Sequence, residues 1–380
     1  MTRGAAVTVT AHGQYPSAAD TPGRAGGRSR LLAAIGGAVV LAALVAGCGS
    51  GKDAPQTAAP APSSTLSAVP HEIGRIEADS QYFGYDPKTG YLAVCDQPTL
   101  KILDISQLDQ PREIAGFGNG CLGRITWFSS AKRLISVDGV VVVVDVADPR
   151  QPRQLDQVSG WLMPVDGAMA LTRDAVFNPS GSVLAVAESG GVMLHPGGLD
   201  GTPKTLFKGR DALALAFHPA GRTLAAGIKG GDVVLWDVRS AGSARKTATL
   251  HGHRGLVQTI TFSPDGSLMA TGGADQTVIV WNTADLAKPV KLATLDMHEG
   301  TVLSLAFDSS GKTLAAGTAF GTATLWNLTD PAAPAKGAVL KSGYTQEAYA
   351  VLFRADGTLI VGGNGGSRDY LVFWEIPGLA

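Results

Sequence analysis

One unit of this 380-residue chain returns seven times, and that constrains the fold more than any composition or single motif. The unit is stated in full by His251-Gly252-His253, then Leu256 to Phe262, then Ser263-Pro264-Asp265-Gly266, then Leu268 to Gly272, then Asp275, then Thr277 to Trp281-Asn282. Apolar residues alternate through each run, as in half-buried strands. Pro264 presets one backbone angle and Gly266 accepts positive φ, so the segment between the first two runs is a turn. An aromatic residue closes the first run of every copy, at Tyr85, Phe128, Phe177, Phe217, Phe262, Phe307 and Phe353. The intervals are 43, 49, 40, 45, 45 and 46 residues. The third run ends at Asp104, Asp145, His195, Asp237, Asn282, Asn327 and Glu375. Each unit therefore predicts a small antiparallel sheet that needs its neighbours to bury its faces.

Composition agrees with many short buried strands joined by tight turns: 45% hydrophobic, 17% charged and 49 glycines. The net charge of −1 offers no electrostatic case for nucleic acid as a partner.

Residues 204–330, with their Gly-His and Trp-Asp signatures, resemble WD repeats; the earlier copies are weaker but keep the period. Connectors such as Asp148-Pro149-Arg150-Gln151-Pro152 resemble those of bacterial WD-repeat proteins. The resemblance spans residues 70–380 and implies an all-β fold, a seven-bladed β-propeller of the WD-repeat type. A blade has four strands, yet only Pro377 to Ala380 follow Trp374-Glu375-Ile376, too few for a fourth. Pro70-His71-Glu72-Ile73-Gly74-Arg75-Ile76 aligns with Pro111 to Phe117, the outer-strand slot after the first blade. The N-terminal residues 71–77 are thus expected to supply the outer strand of the last blade and seal the ring.

In WD repeats a His, a Ser/Thr, an Asp and a Trp can form a buried hydrogen-bond network. His253, Thr271, Asp275 and Trp281 occupy those positions, and this structural reading is preferred to a catalytic His–Asp dyad. The next copy keeps His298 and Trp326 but has Ala316 and Phe320 at the other two positions, and the preceding copy has Ala226 and Gly230. Those blades are expected to rest on apolar packing alone.

Residues 1–47 read as an export signal. Arg24, Arg28 and Arg30 precede an apolar run from Leu31 to Ala46, shorter than the roughly 20 residues of a membrane span. The run ends in Val45-Ala46-Gly47-Cys48, which resembles the lipobox of bacterial lipoproteins, where the Cys is lipidated and becomes the new N-terminus. An ordinary signal peptide or an uncleaved anchor is the alternative. Residues 48–69 are rich in Gly, Ser, Ala and Pro and read as a lipidated Cys followed by a tether. Export permits disulfides, and Cys95 and Cys121 are the remaining cysteines, so either a Cys95–Cys121 bridge or two buried thiols is open.

No catalytic constellation emerges. The histidines show no HExxH or paired metal-ligand spacing, and there is no G-x-S-x-G elbow and no P-loop. No metal, no cofactor and no catalytic residue is expected. The resemblance points instead to the rim where the first strands begin. The equivalent positions there are Gln81, Arg124, Arg173, Leu213, Gln258, Leu303 and Tyr349. An insertion before the third blade adds Trp161-Leu162-Met163-Pro164, which either projects from that rim or folds back over its blade. A partner-binding rim of Arg124, Trp161, Arg173, Gln258 and Tyr349 is the expectation. The chain as a whole reads as a membrane-anchored, extracytoplasmic, non-enzymatic scaffold for a protein partner, acting as a monomer. The alternatives are a solute- or glycan-binding propeller using its central channel and, behind it, a propeller enzyme.

Overall fold

The structure is a computed structural model. It describes residues 69–379, apart from 79–81, 97–98, 109, 119–122, 129, 139, 160–171, 189, 199–201, 209–210, 240–243, 299, 342–347 and 365–368. Every element in it is a strand. The chain enters through β1 (His71–Ala78) and then builds the first blade from β2 (Phe83–Asp86), β3 (Tyr91–Asp96), β4 (Thr99–Asp104) and β5 (Arg112–Phe117). The second blade holds β6 (Arg124–Phe128), β7 (Arg133–Asp138), β8 (Val140–Asp145) and β9 (Arg153–Ser159). The third holds β10 (Thr172–Phe177), β11 (Val183–Glu188), β12 (Gly191–Pro196) and β13 (Lys204–Lys208). The fourth holds β14 (Ala212–Phe217), β15 (Thr223–Ile228), β16 (Asp232–Asp237) and β17 (Arg245–His251). The fifth holds β18 (Val257–Phe262), β19 (Leu268–Gly273), β20 (Thr277–Asn282) and β21 (Val290–Asp296). The sixth holds β22 (Val302–Phe307), β23 (Thr313–Thr318), β24 (Thr322–Asn327) and β25 (Ala335–Lys341). The seventh takes β26 (Ala348–Phe353), β27 (Leu359–Asn364) and β28 (Asp369–Glu375), and β1 completes it. The seven aromatics that mark the period all sit in the first strand of a blade, at or next to its end.

Each blade is a four-stranded antiparallel sheet whose strands follow chain order, except the last, ordered β1-β28-β27-β26. In that blade β1 runs antiparallel to β28, with Arg75 opposite Val372 and Ile76 opposite Leu371. The expected closure by the N-terminal strand is therefore what the fold uses. It joins the first and last strands through backbone hydrogen bonds and leaves no open β28 edge.

The second strands show why a ring is needed. β11, β15, β19 and β23 are buried along their whole length, so these sheets have no solvent face. Their side chains alternate between two apolar layers. Seven such layers exist, one between each adjacent pair of blades. The layer between the seventh and first blades includes Ile76, Tyr85, Leu92 and Phe373.

The sheets approach closely at a repeated glycine. Gly227, Gly272 and Gly317 stand at one position of successive second strands, against the start of the next blade's first strand. A Cβ on Gly272 would lie 2.5 Å from Val302 Cγ1, and one on Gly227 would lie 2.7 Å from Val257 Cγ1. Gly272→Ala should therefore destabilise the protein by about 1–3 kcal/mol through overpacking. Combined with Val302→Ala it should cost less than the sum of the two single changes. Denaturant unfolding of the four proteins in this cycle measures the coupling.

Candidate functional site

Strand direction gives the propeller two rims. The first strands begin on the upper rim, which also carries the turns between second and third strands. The lower rim carries the turns after the first strands and the connections into the outer strands. The first strands of all seven blades surround a central channel of about 710 Å³. The cavity extends to the lower rim, where Lys88, Ser130, Pro179, Pro219 and Pro264 line it.

On the upper rim, the positions aligned from the sequence share a backbone device. The pairing register slips by one residue at Arg173, Leu213, Gln258, Leu303 and Tyr349, which makes each of them the extra residue of a β-bulge. A bulge leaves its residue out of the ladder and re-aims its side chain. Arg173 is exposed and Gln258 is half-buried. Arg124 differs from them. Its strand pairs without a slip, and its guanidinium lies 3.7 Å from the carboxylate of Asp174 in the next blade, along the channel wall. Arg124 is thus placed as a channel residue tied to an inner partner. Trp161 lies outside the described residues, and only the backbone of Tyr349 is described.

Asp174 links three blades. It sits in β10, faces Arg124 of β6, and accepts the backbone N–H of Leu215 in β14 at 2.8 Å. It also accepts the N–H of Ala175. Burial pushes its carboxyl above the ordinary range, against the opposing pull of Arg124 and the two N–H donors. Asp174 is an acid inside the channel, but its oxygens are already engaged. Among the described residues no group of three or more His, Cys, Asp or Glu side chains could hold a metal ion.

In the fifth blade the structure brings His253, Thr271, Asp275 and Trp281 together. His253 Nδ1 donates to Asp275 at 3.0 Å, and Thr271 Oγ1 donates to His253 Nε2 at 2.8 Å. Trp281 Nε1 donates to Thr271 Oγ1 at 3.0 Å. This tautomer follows from the partners: a carboxylate only accepts, so Nδ1 carries the proton. The backbone N–H of Arg254 and the hydroxyl of Thr277 also donate to Asp275. The imidazole is fully buried, which leaves no approach for a substrate. Burial works to raise the Asp275 carboxyl, but the donors outweigh it and hold it below the ordinary carboxylate range.

The sixth blade departs from expectation. His298 does not enter its blade: with φ of 51° it turns to solvent and pairs with Asp296 at 3.1 Å. Ala316 stands where the fifth blade has Thr271, so no hydroxyl is there to receive the imidazole. Trp326 Nε1 is buried without a hydrogen-bond partner among the described residues. Nor do all the other blades rest on apolar packing alone. Thr318 and Thr322 hydrogen-bond inside the sixth blade at 2.8 Å, and Ser304 accepts the N–H of Val351 across to the seventh.

Sequence reasoning passed over one upper-rim residue. Phe320, weighed only as a replaced network position, is 65% exposed in the turn between β23 and β24. Gly230 and Asp275 occupy its place in the two preceding blades. An aromatic in a turn that otherwise takes Gly or Asp was the available signal. Of the cysteines, Cys95 is fully buried and disulfide-bonded, while Cys121 and Cys48 lie outside the described residues.

Fold and repeats together define an all-β, seven-bladed propeller with WD-type repeats. The family model "WD domain, G-beta repeat" matches residues 244–282 and 289–327, the outer strand of the fourth blade through the third strand of the sixth, without the outer strand of the sixth. Comparison with curated protein sequences gives no match. Among solved structures, the chain is similar to the β-propeller domain of Myceliophteria thermophila Cps50 (Swd1), with a TM-score of 0.65 and 16% identity. That match covers 80% of this chain and 99% of the other. A chain of the mitotic checkpoint complex matches with a TM-score of 0.63 and 19% identity, over 80% and 95% of the two chains. At such identities the likeness concerns the fold.

Two measurements probe the network. Thr271→Ala strands the buried His253 Nε2 and Trp281 Nε1, and should cost on the order of 2–4 kcal/mol in urea unfolding. Asp275 titrates lower folded than unfolded, so its stabilisation is present above the ordinary carboxylate pKa and is lost as pH falls through the depressed folded value. Asp275→Asn should flatten the loss of melting temperature over that acid range; an unchanged slope would mean the carboxylate is not the linked group.

Proposed function

We propose that the chain is a membrane-anchored, extracytoplasmic scaffold that binds a protein partner through its upper rim and catalyses no reaction. One observation carries the binding surface: the row of β-bulges that re-aims Arg173, Gln258 and their equivalents, with exposed Phe320 on the same rim. Bulges occur where a side chain must be aimed out of a sheet, and Arg and aromatic residues are enriched in binding hot spots. The solved neighbour from the mitotic checkpoint complex is itself part of an assembly, which favours the same use of this fold. Fold alone does not assign a role, so the named side chains have to carry the claim.

The anchor rests on Val45-Ala46-Gly47-Cys48, with lipid on Cys48. A ring that pairs its last blade with its own first strand needs no second copy, which favours a monomer. Arg124 is a weaker candidate for the surface than its neighbours, because Asp174 already holds it. A second reading, a solute held in the channel, draws on the cavity of about 710 Å³, a size common for ligand pockets.

Partner capture from cross-linked native membranes tests the first reading. Arg173→Glu and Phe320→Ala should each reduce recovery of the captured protein about tenfold or more, at unchanged melting temperature. Cys48→Ser should move the protein from the membrane fraction to the medium. Recovery that ignores both rim changes would sink the assigned surface, whatever the fate of the anchor.

A further inference from the structure

The lower rim carries a charge pattern that the scaffold reading does not use. The first or second residue of the outer strand is an exposed cation in each of the first six blades: Arg112, Arg153, Lys204, Arg245, Lys291 and Lys336. Arg112, Arg153 and Arg245 lie opposite the last residues of the third strands, Asp104, Asp145 and Asp237. Lys291 and Lys336 lie opposite the residues before the last, Trp281 and Trp326, and Lys204 lies opposite Leu194. These cations form a belt around the circumference, all within two residues of the lower ends of the third strands. Exposed Lys88, Lys132, Arg150 and Lys312 add charge in the turns of the same rim. The rim also has carboxylates. Asp104 and Asp145 pair with Arg112 and Arg153 of the belt at 3.5 and 3.4 Å, in solvent-exposed pairs that leave both guanidiniums more than 70% exposed. Several also cap their own turns. Asp104, Asp145, Asp148, Asp285 and Asp330 accept the backbone N–H of Ser106, Ala147, Arg150, Ala287 and Ala332. The upper ends of the outer strands show no such belt; they carry Glu77, Lys208, His251, Asp296 and Lys341.

The seventh blade begins its outer strand with His71, and this is where the chain enters the fold. β1 runs antiparallel to β28, so His71 lies beside Glu375 at the lower rim. Cys48 precedes His71 by 23 positions, a reach of at most about 80 Å when fully extended. The attachment point and the cation belt thus share one rim.

We propose that the lower rim is the membrane-facing surface of the propeller, with its cation belt seated on anionic phospholipid headgroups. The upper rim then points away from the bilayer, open to the partner. This rests on the reading that Cys48 anchors the chain. The belt supplies orientation, and the lipid supplies residence. Each basic side chain held near an anionic surface is worth about fivefold in partitioning, so several acting together hold one face down. The attraction is electrostatic and is screened by salt.

The test uses the full lipidated chain in vesicles of phosphatidylcholine, with or without phosphatidylglycerol. A fluorophore is placed at Ala332→Cys on the lower rim or at Lys229→Cys on the upper rim, and headgroup-spin-labelled lipid is the quencher. With phosphatidylglycerol, quenching at position 332 should exceed that at position 229 severalfold. The contrast should shrink in phosphatidylcholine alone, at high salt, and in a chain carrying R112E, R153E, K204E and R245E. Equal quenching at the two positions of a vesicle-bound chain, or a contrast indifferent to phosphatidylglycerol, overturns the orientation and leaves the anchor standing. A chain that does not stay with the vesicles or the cell membrane overturns the anchor itself, and the orientation with it.

Discussion

The structure depends on sheets that are apolar on both faces. A sheet with one solvent face could end a stack, but the second strands of these blades bury every residue where the pattern is complete, as in β11, β15, β19 and β23. Each blade therefore needs a neighbour on both sides, and a linear array would leave two apolar faces in water. Closing the array removes both. At about 25 cal/mol per Å² of apolar surface withdrawn from water, every interface in the ring contributes to its neighbours' stability. The N-terminal strand makes this closure durable, because β1 pairs with β28 by backbone hydrogen bonds while Ile76 enters the layer between the seventh and first blades. Glycines at the inner contact set how closely two sheets meet. Gly272 against Val302 shows that the spacing tolerates no extra atom.

Polar groups inside such a stack must be paired or left out. The fifth blade pairs them completely, from the indole of Trp281 through Thr271 and His253 to Asp275. The sixth blade lacks the hydroxyl, and its His298 goes to the surface. The two blades differ at both partner positions, Ala316 for Thr271 and Phe320 for Asp275, so His298 has neither the hydroxyl nor the carboxylate that holds His253. Asp174 solves the same problem between blades: its buried carboxylate receives the N–H of Leu215 in the next blade and the charge of Arg124 in the preceding one. These links lie along the first strands, where the sheets converge and side chains are short of room.

The two rims then separate into different chemistry. The upper rim is shaped by bulges and carries mixed polar and aromatic side chains. The lower rim is formed by capped turns and bears the cation belt. The alternation of strand direction produces this division, since every first and third strand descends and every second and outer strand ascends. A repeat that places a basic residue at the start of its outer strand therefore places all of them on one face.

Much of this was legible in the sequence. The spacing of the seven aromatics, the turn residues after them and the missing last strand determined the blade count and the way the ring closes, because periodicity and strand number are properties of the chain read locally. The pattern at His253, Thr271, Asp275 and Trp281 marked residues that the structure brings within hydrogen-bond distance. The direction of side chains was not legible. Sequence alignment put Arg124 and Arg173 at equivalent positions, but only one of those strands contains a bulge, so one guanidinium faces Asp174 and the other is exposed. His298 occupies the histidine position of its repeat and still left its blade, since that place depends on partners 18 and 22 residues away that this blade lacks. The sequence by itself determined how many sheets there are and that the first and last strands must meet. Tertiary structure alone decided which polar groups found partners and which cations share a rim, because those depend on distances between strands that lie far apart along the chain.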